Sequence, residues 1–356
     1  MQRPPQRDPD ATRERLTTWL AAKMPEASDV RITNLANPSA TGFSSDTLLF
    51  DLEWREHGAA RTRPLVVRTE PRGVTVFPEY EIAKQYRLMQ ILRPTGIPLP
   101  ETLWLEEDES ILGAPFFVMA RVAGRIPTDT PPYHTGGWVA EVEPAERAAL
   151  WWSGLETLAA IHRLDPETLG LGFVDTAAAG ATPIERQLAY YRRFLDWAAP
   201  GRTHDICEAG YEWLVRRRPT AEPGALCWGD ARIGNMIFDR GRCVAVLDWE
   251  MATLGNPEQD LAWWLFLDRH HSEGVSAPRL PGFPSAEETV TRYTKLSGRP
   301  VRHLHYYEVF AAFRFAVIMI RVAQQMIAAG VFPPDSDFAT NNTVTPLLAR
   351  LLEVEP

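Results

Sequence analysis

The apolar pattern of this chain changes period once, near Gly124, and a run containing Pro127, Pro131 and Pro132 follows the change. Gly tolerates positive φ, while Pro fixes φ and lacks an N–H, so together they mark a hinge or linker. From 30 to 122 the apolar runs are short and β-rich, at 47–54, 65–69, 104–106 and 116–122. One stretch there, 78–93, instead puts Ile82, Tyr86, Met89 and Arg93 on one side of a helix, and Gly96, Pro98 and Pro100 end it. After the break, 144–164, 183–198, 286–296 and 306–329 carry apolar patterns of helical length. An island at 226–249 interrupts them, with short apolar runs either side of Arg240 and Gly241, as a β-hairpin requires. The pattern predicts an α+β chain of two lobes. Residues 30–122 form a small β-rich lobe with one helix, and 123–356 form a larger helical lobe holding the hairpin. An N-terminal segment, 1–29, precedes them, with Asp10 capping a helix that turns Leu16, Trp19 and Leu20 to one side. A nucleotide suits the crevice between two such lobes.

Composition narrows the function classes. The chain has 356 residues, 45% of them hydrophobic and 23% charged, which is enough to bury a core and excludes disorder for most of its length. A formal charge of −9 argues against a broad nucleic-acid surface. Cys207, Cys227 and Cys243 form no C-x-x-C pair, so neither a disulfide framework nor a structural zinc site is expected. The first ten residues lack the apolar core of a secretory leader. The long apolar stretch at 306–331 is interrupted by Arg314, Arg321, Gln324 and Gln325, which fits a buried core helix better than a membrane span. The expectation is a cytoplasmic protein with neither a membrane nor a nucleic-acid partner.

The chemistry is concentrated in two short segments. Residues 227–235 read C-W-G-D-A-R-I-G-N, and 246–250 read V-L-D-W-E. Phosphoryl transfer needs a carboxylate to orient a hydroxyl and take its proton, oxygen ligands for Mg²⁺, and cations to balance charge on the phosphates. Asp230 and Asn235 have the D-x-x-x-x-N spacing of a kinase catalytic loop, and a hairpin would return Asp248 beside Asn235. Asp230 is then the base, and Asn235 and Asp248 are the Mg²⁺ ligands, a donor set that Mg²⁺ accepts alongside phosphate and water. Arg232 stands two residues after the base, within reach of the transferring group.

These segments resemble the aminoglycoside phosphotransferase and choline kinase family, small-molecule relatives of protein kinases. The family's H-G-D-x-x-x-x-N and I/L-D-W/F appear here as W-G-D-A-R-I-G-N and L-D-W-E. Upstream, Thr41, Gly42, Phe43, Ser44 and Ser45 resemble the loop that covers the phosphates. Arg68 stands at the phosphate-pairing cation, and Met119 and Arg121 lie in the segment that receives adenine. Downstream, Asp260 resembles the Asp that steadies the catalytic loop. Coverage runs roughly from 30 to 267, and the nearest likeness is to the kinase-like part of certain acyl-CoA dehydrogenases.

The resemblance implies a protein-kinase-like two-lobed fold, Mg²⁺, and ATP or GTP as co-substrate. The activity it implies is transfer to a small-molecule hydroxyl; the alternative is a nucleotide-binding pseudokinase that regulates a partner. There are departures. Trp228 replaces the family His, Arg68 replaces Lys, and Gln85 stands where a Glu would pair with that cation, leaving Glu81 one turn earlier as the candidate partner. Glu250 and Trp249 are candidates to support the site or touch substrate.

Other features carry bland expectations. His270 and His271 read as a solvated loop, Trp151, Trp152, Trp263 and Trp264 as core aromatics, His162 as a packed histidine, and Arg216–Arg218 as cations at a helix end. For the acceptor, 300–332 carries Arg302, Arg314 and Arg321 against Glu308, while the stretch from Asp129 to Arg147 is acidic. A polycationic acceptor needs paired buried charge. An apolar or anionic hydroxyl compound, such as a hydroxyacyl thioester, fits at least as well.

Overall fold

The computed structural model describes residues 8–37, 46–71, 73–175, 181–220 and 224–353. The first lobe opens with helix α1 (Pro9–Lys23), followed by strands β1 (Ser28–Ala36), β2 (Asp46–Glu56) and β3 (Ala59–Thr69). Helix α2 (Ile82–Leu92), strand β4 (Thr102–Glu106), the short α3 (Glu109–Leu112) and strand β5 (Phe116–Ala120) complete it. The five strands pair antiparallel in the order β1-β2-β3-β5-β4. The expected cap of α1 shifts: Asp8, not Asp10, accepts from the first-turn amides, and Asp10 instead pairs with Arg13.

Alternation along β3 decides which residues face the other lobe. Leu65 and Val67 pack with Phe50, Phe116 and Val118 against Leu16, Trp19 and Leu20 of α1. Val66 points the opposite way, into the main core with Phe117, Met119 and Leu88 and Met89 of α2. Arg68, two residues after Val66, therefore stands on the crevice side of the sheet.

The second lobe is mostly helical: α4 (Trp138–Glu141), α5 (Pro144–His162), α6 (Pro183–Ala198), α7 (Asp205–Arg217), α8 (Glu258–His271), α9 (Ala286–Ser297), α10 (Leu304–Ala328) and α11 (Thr345–Glu353). Between α7 and α8 lie β6 (Ala225–Cys227), the hairpin β7 (Met236–Asp239)–β8 (Arg242–Val246), and β9 (Thr253–Gly255), which pairs with β6. α8 had no helical signature because nearly every residue in it is buried, so no polar stripe marks its period. This corrects the expectation for His270 and His271, which form its last turn rather than a solvated loop.

Among the described residues, α10 is the one helix long and apolar enough to cross a membrane; it forms the spine of the helical lobe, with Val309, Phe310, Phe313 and Val317 buried in the main core. The polar residues that interrupt it are answered inside the protein. Arg314 donates to Gly229 O, Arg321 to Thr75 O, Gln324 to Ala198 O and Gln325 to Val74 O.

Candidate active site

β6 delivers the chain into a turn that only glycine can make. Gly229 has φ +94°, and a Cβ there would lie 2.1 Å from the Met251 carbonyl oxygen. The turn hangs on one carboxylate. Asp260, in the first turn of α8, accepts from Trp228 N (2.6 Å) and Gly229 N (3.0 Å). His162 Nε2 lies 3.1 Å from the same carboxylate, and its Nδ1 lies 2.6 Å from the Tyr293 hydroxyl. Both His162 and Asp260 are fully buried, so two ionisable side chains anchor the loop from below. Trp228 holds the loop from the other side, its indole donating to Leu247 O (2.8 Å) and Asp248 O (3.1 Å). At this position an indole N–H ties the Asp230 turn directly to the segment bearing Asp248.

Three donors surround the Asp230 carboxylate: Trp263 Nε1 at 2.7 Å, Asn235 Nδ2 at 2.6 Å and Arg232 Nε at 3.1 Å. Asn235 also donates to Asp230 O at 3.2 Å. Its amide nitrogen is thus committed to Asp230, and its oxygen is the atom left to take a cation. The hairpin register pairs Met236 with Val246, and Leu247 N donates to Asn235 O (2.9 Å). Asp248 comes next, with φ +59°, a left-handed conformation that a non-glycine residue adopts at some strain. Asn235 and Asp248 therefore emerge at the same end of one hairpin. Burial pushes the Asp248 carboxyl up, and Arg68 opposes the shift.

Arg68 reaches across from β3 to hydrogen-bond Asp248, and its Nη2 lies 3.6 Å from Glu250. Burial alone would lower the Arg68 pKa, but Asp248 and Glu250 reverse this and raise it. Among the described residues, the buried Arg68 Nε has no hydrogen-bond partner. A donor left so is costly unless something else accepts from it.

Several expected placements are corrected. Glu81 does not partner Arg68; it sits at the exposed N-cap of α2 and pairs with Lys84 at 2.9 Å. The carboxylates nearest Arg68 come instead from the L-D-W-E segment. Arg232 does not stand open to a transferring group. Its Nη1 lies 2.6 and 2.7 Å from the two oxygens of Asp129, while its Nε holds Asp230. Burial would raise the Asp129 carboxyl, but Arg232 and His271 overturn that and hold it well below the usual carboxylate range. Arg121 binds Asp51 on β2 through its side chain (2.6 Å) and Pro64 O through its amide (3.0 Å). Arg314 and Arg321 bind backbone carbonyls, so they make no basic wall for an acceptor.

Met119 is buried in the core between sheet and helices, and Trp249 is buried with its ring 6.1 Å from that of Trp228. Thr41, Gly42, Phe43, Ser44 and Ser45 lie outside the described residues. Three contributors were missed in the sequence: Asp129, Trp263 and Arg314. Trp263 was findable, because it lies three residues after Asp260 on the same helix and so shares its face.

Residues 41–289 match the model of the phosphotransferase enzyme family, APH. The chain is 30% identical over 300 residues to acyl-CoA dehydrogenase family member 11 of Rattus norvegicus, covering 81% of this chain and 37% of that protein. It is 31% identical over 270 residues to acyl-CoA dehydrogenase family member 10 of Mus musculus, covering 72% and 24%. The chain thus spans about a third or less of the length of these relatives. Among solved structures, a Ralstonia eutropha JMP134 protein classed with the aminoglycoside phosphotransferases superposes with a TM-score of 0.68 at 24% identity, covering 96% of this chain and 95% of that one. A thermostable mutant of aminoglycoside phosphotransferase APH(4)-Ia, in complex with ADP and hygromycin B, gives 0.56 at 16% identity, covering 95% and 97%. The two-lobed protein-kinase-like fold is therefore shared, and the family match extends over most of both lobes. The chain belongs to the phosphotransferase enzyme family.

Proposed function

We propose that this protein transfers the γ-phosphoryl group of a Mg²⁺-bound ATP or GTP to a hydroxyl of a small molecule. The observation that carries the reading is the convergence of Asp230, Asn235 and Asp248 at one end of a hairpin, with Arg68 reaching Asp248 from the opposite lobe. Asp230 is the residue to orient the acceptor hydroxyl and receive its proton, because Trp263, Asn235 and Arg232 hold its carboxylate in place without covering it fully. Arg68, whose Nε has no partner among the described residues, is the cation to meet phosphate oxygens. The residues present fit a divalent ion. Asp248 is a largely buried carboxylate already drawn to a cation, and Asn235, whose amide nitrogen is bound to Asp230, keeps its amide oxygen for a metal at the same end of the hairpin. Bound Mg²⁺ would neutralise charge on the phosphates.

The acceptor we propose is an apolar or anionic hydroxyl compound, such as a hydroxyacyl compound. The match to relatives named for acyl-CoA dehydrogenation supports that class.

The test uses slow Mg²⁺-dependent nucleotide turnover by the purified chain, with nucleotide affinity measured separately. Asp230→Ala is expected to lower turnover by roughly 10²–10⁴-fold while leaving nucleotide affinity nearly unchanged. Asp248→Ala is expected mainly to weaken Mg²⁺-nucleotide binding, by about tenfold or more. The reverse pattern would show the two roles exchanged. Nucleotide binding indifferent to Mg²⁺, with no transfer to a broad hydroxyl library, would favour a regulatory pseudokinase.

A further inference from the structure

Arg314, on α10, is 1% exposed, and among the described residues no carboxylate forms an ion pair with it. A buried cation without a counter-charge is expensive, so a fold that keeps one usually gains something specific from it. The surroundings of Arg314 are specific. Its Nη2 donates to Gly229 O at 2.8 Å. Its guanidinium carbon lies 4.2 Å from the ring centroid of Trp263, with Phe310 at 5.3 Å and Tyr191 at 5.7 Å. Three aromatic faces thus replace the missing carboxylate.

Both strong contacts lead to Asp230. Gly229 is its chain neighbour, and its carbonyl direction follows from φ +94° in a turn that no other residue can make. Trp263 presents one part of its indole to Arg314 and donates its N–H to Asp230 Oδ1 at 2.7 Å. We infer that Arg314 is a positioning residue that aims the Asp230 carboxylate, by clamping the Gly229 carbonyl and the Trp263 ring with a single planar guanidinium. The inference rests on Asp230 being the base proposed above. It also accounts for the residue type. A planar fork can donate in its own plane and stack through its face at once, whereas an ammonium is a point charge that does one or the other.

The test compares Arg314→Lys, Trp263→Phe and the double variant in the full-length protein. It measures turnover and KM in Mg²⁺-dependent nucleotide hydrolysis, together with melting temperature. Arg314→Lys is expected to lower kcat by about tenfold or more while nucleotide KM stays within roughly threefold. A purely structural residue would not split the two constants in this way. If Arg314 acts through Trp263, the double variant falls no further than about the worse single variant. Wild-type kcat in Arg314→Lys, or fully multiplicative losses in the double variant, overturns the inference.

A second readout does not depend on activity. The Trp263 indole proton is assigned by its disappearance from the NMR spectrum of Trp263→Phe. In Arg314→Lys it is expected to shift and to exchange with solvent about tenfold faster or more as its bond to Asp230 loosens. An unchanged indole signal overturns the positioning role even if the chain turns over no nucleotide, a result that would count against the proposed function instead.

Discussion

Asp260 shows how much one buried side chain can hold. Its two oxygens accept from consecutive backbone amides, and one of them also meets His162. Asp260→Asn keeps one acceptor oxygen and turns an NH₂ group toward a backbone N–H. The expected loss is about 2–4 kcal/mol of folding stability by chemical denaturation, with turnover reduced further because the Asp230 turn loses its anchor. A second residue-scale expectation concerns acid. Burial first, and His271 second, lower the His270 pKa to about 3. Between that value and the ordinary ~6.5 of an unfolded histidine, the unfolded chain binds a proton that the folded one refuses. Stability therefore falls as pH drops through that window, with this residue contributing up to about 1.4 kcal/mol per pH unit, and contributes no slope above it. Urea titrations of wild type and His270→Gln between pH 7.5 and 4.5 should show the shallower slope in the variant. At this scale the reading from sequence was uneven for a physical reason. That Asp230, Asn235 and Asp248 meet was legible because one short loop and one hairpin carry all three. Asp129 and Arg314 reach the loop from more than 80 residues away, at 2.6 Å and 2.8 Å, and no local pattern announces such contacts.

The working element is the β6-to-β9 unit rather than the hairpin alone. β6 and β9 pair with Cys227 opposite Thr253, which draws the Asp230 turn against the stretch after Asp248. Gly229 is the point where the two backbones touch. Gly229→Ala puts a methyl group 2.1 Å from the Met251 carbonyl oxygen and strains φ as well, so something in the backbone must shift. The expected loss is about 3 kcal/mol or more, seen as a lower melting temperature or loss of soluble protein. The hairpin was legible through its Arg240–Gly241 turn, and the long amphipathic or apolar helices through their period. α8 was not, because a helix buried on every side has no polar face for the sequence to display. The Glu81 pairing failed for a related reason. Spacing along α2 gave its place on that helix, but which carboxylate Arg68 meets depends on how the lobes close on each other.

Across the whole molecule, the lobes are joined by more than the linker. Arg321 and Gln325 of α10 hold the carbonyls of Thr75 and Val74, in the segment between β3 and α2, and Val246 N donates to Pro98 O. Phe77 from that segment packs edge-on to Phe194 of α6, with ring centroids 5.9 Å apart. Arg321→Ala removes one of these ties without touching the candidate site. Amide exchange is expected to quicken across 73–80 by about tenfold while α5 stays as protected as in wild type, as hydrogen-exchange mass spectrometry would show.

The linker itself leaves little freedom. Arg125 and Phe238 exchange both backbone hydrogen bonds at 2.8 Å, a single antiparallel bridge that ties the chain just beyond Gly124 to the hairpin. Arg121 N is fixed to Pro64 O at 3.0 Å, so the chain up to that point travels with the sheet. Only Val122, Ala123 and Gly124 lie between these two attachments. With planar peptides, that leaves about six torsions along the linker itself, so any change in the angle between the lobes that keeps both attachments must turn within these three residues.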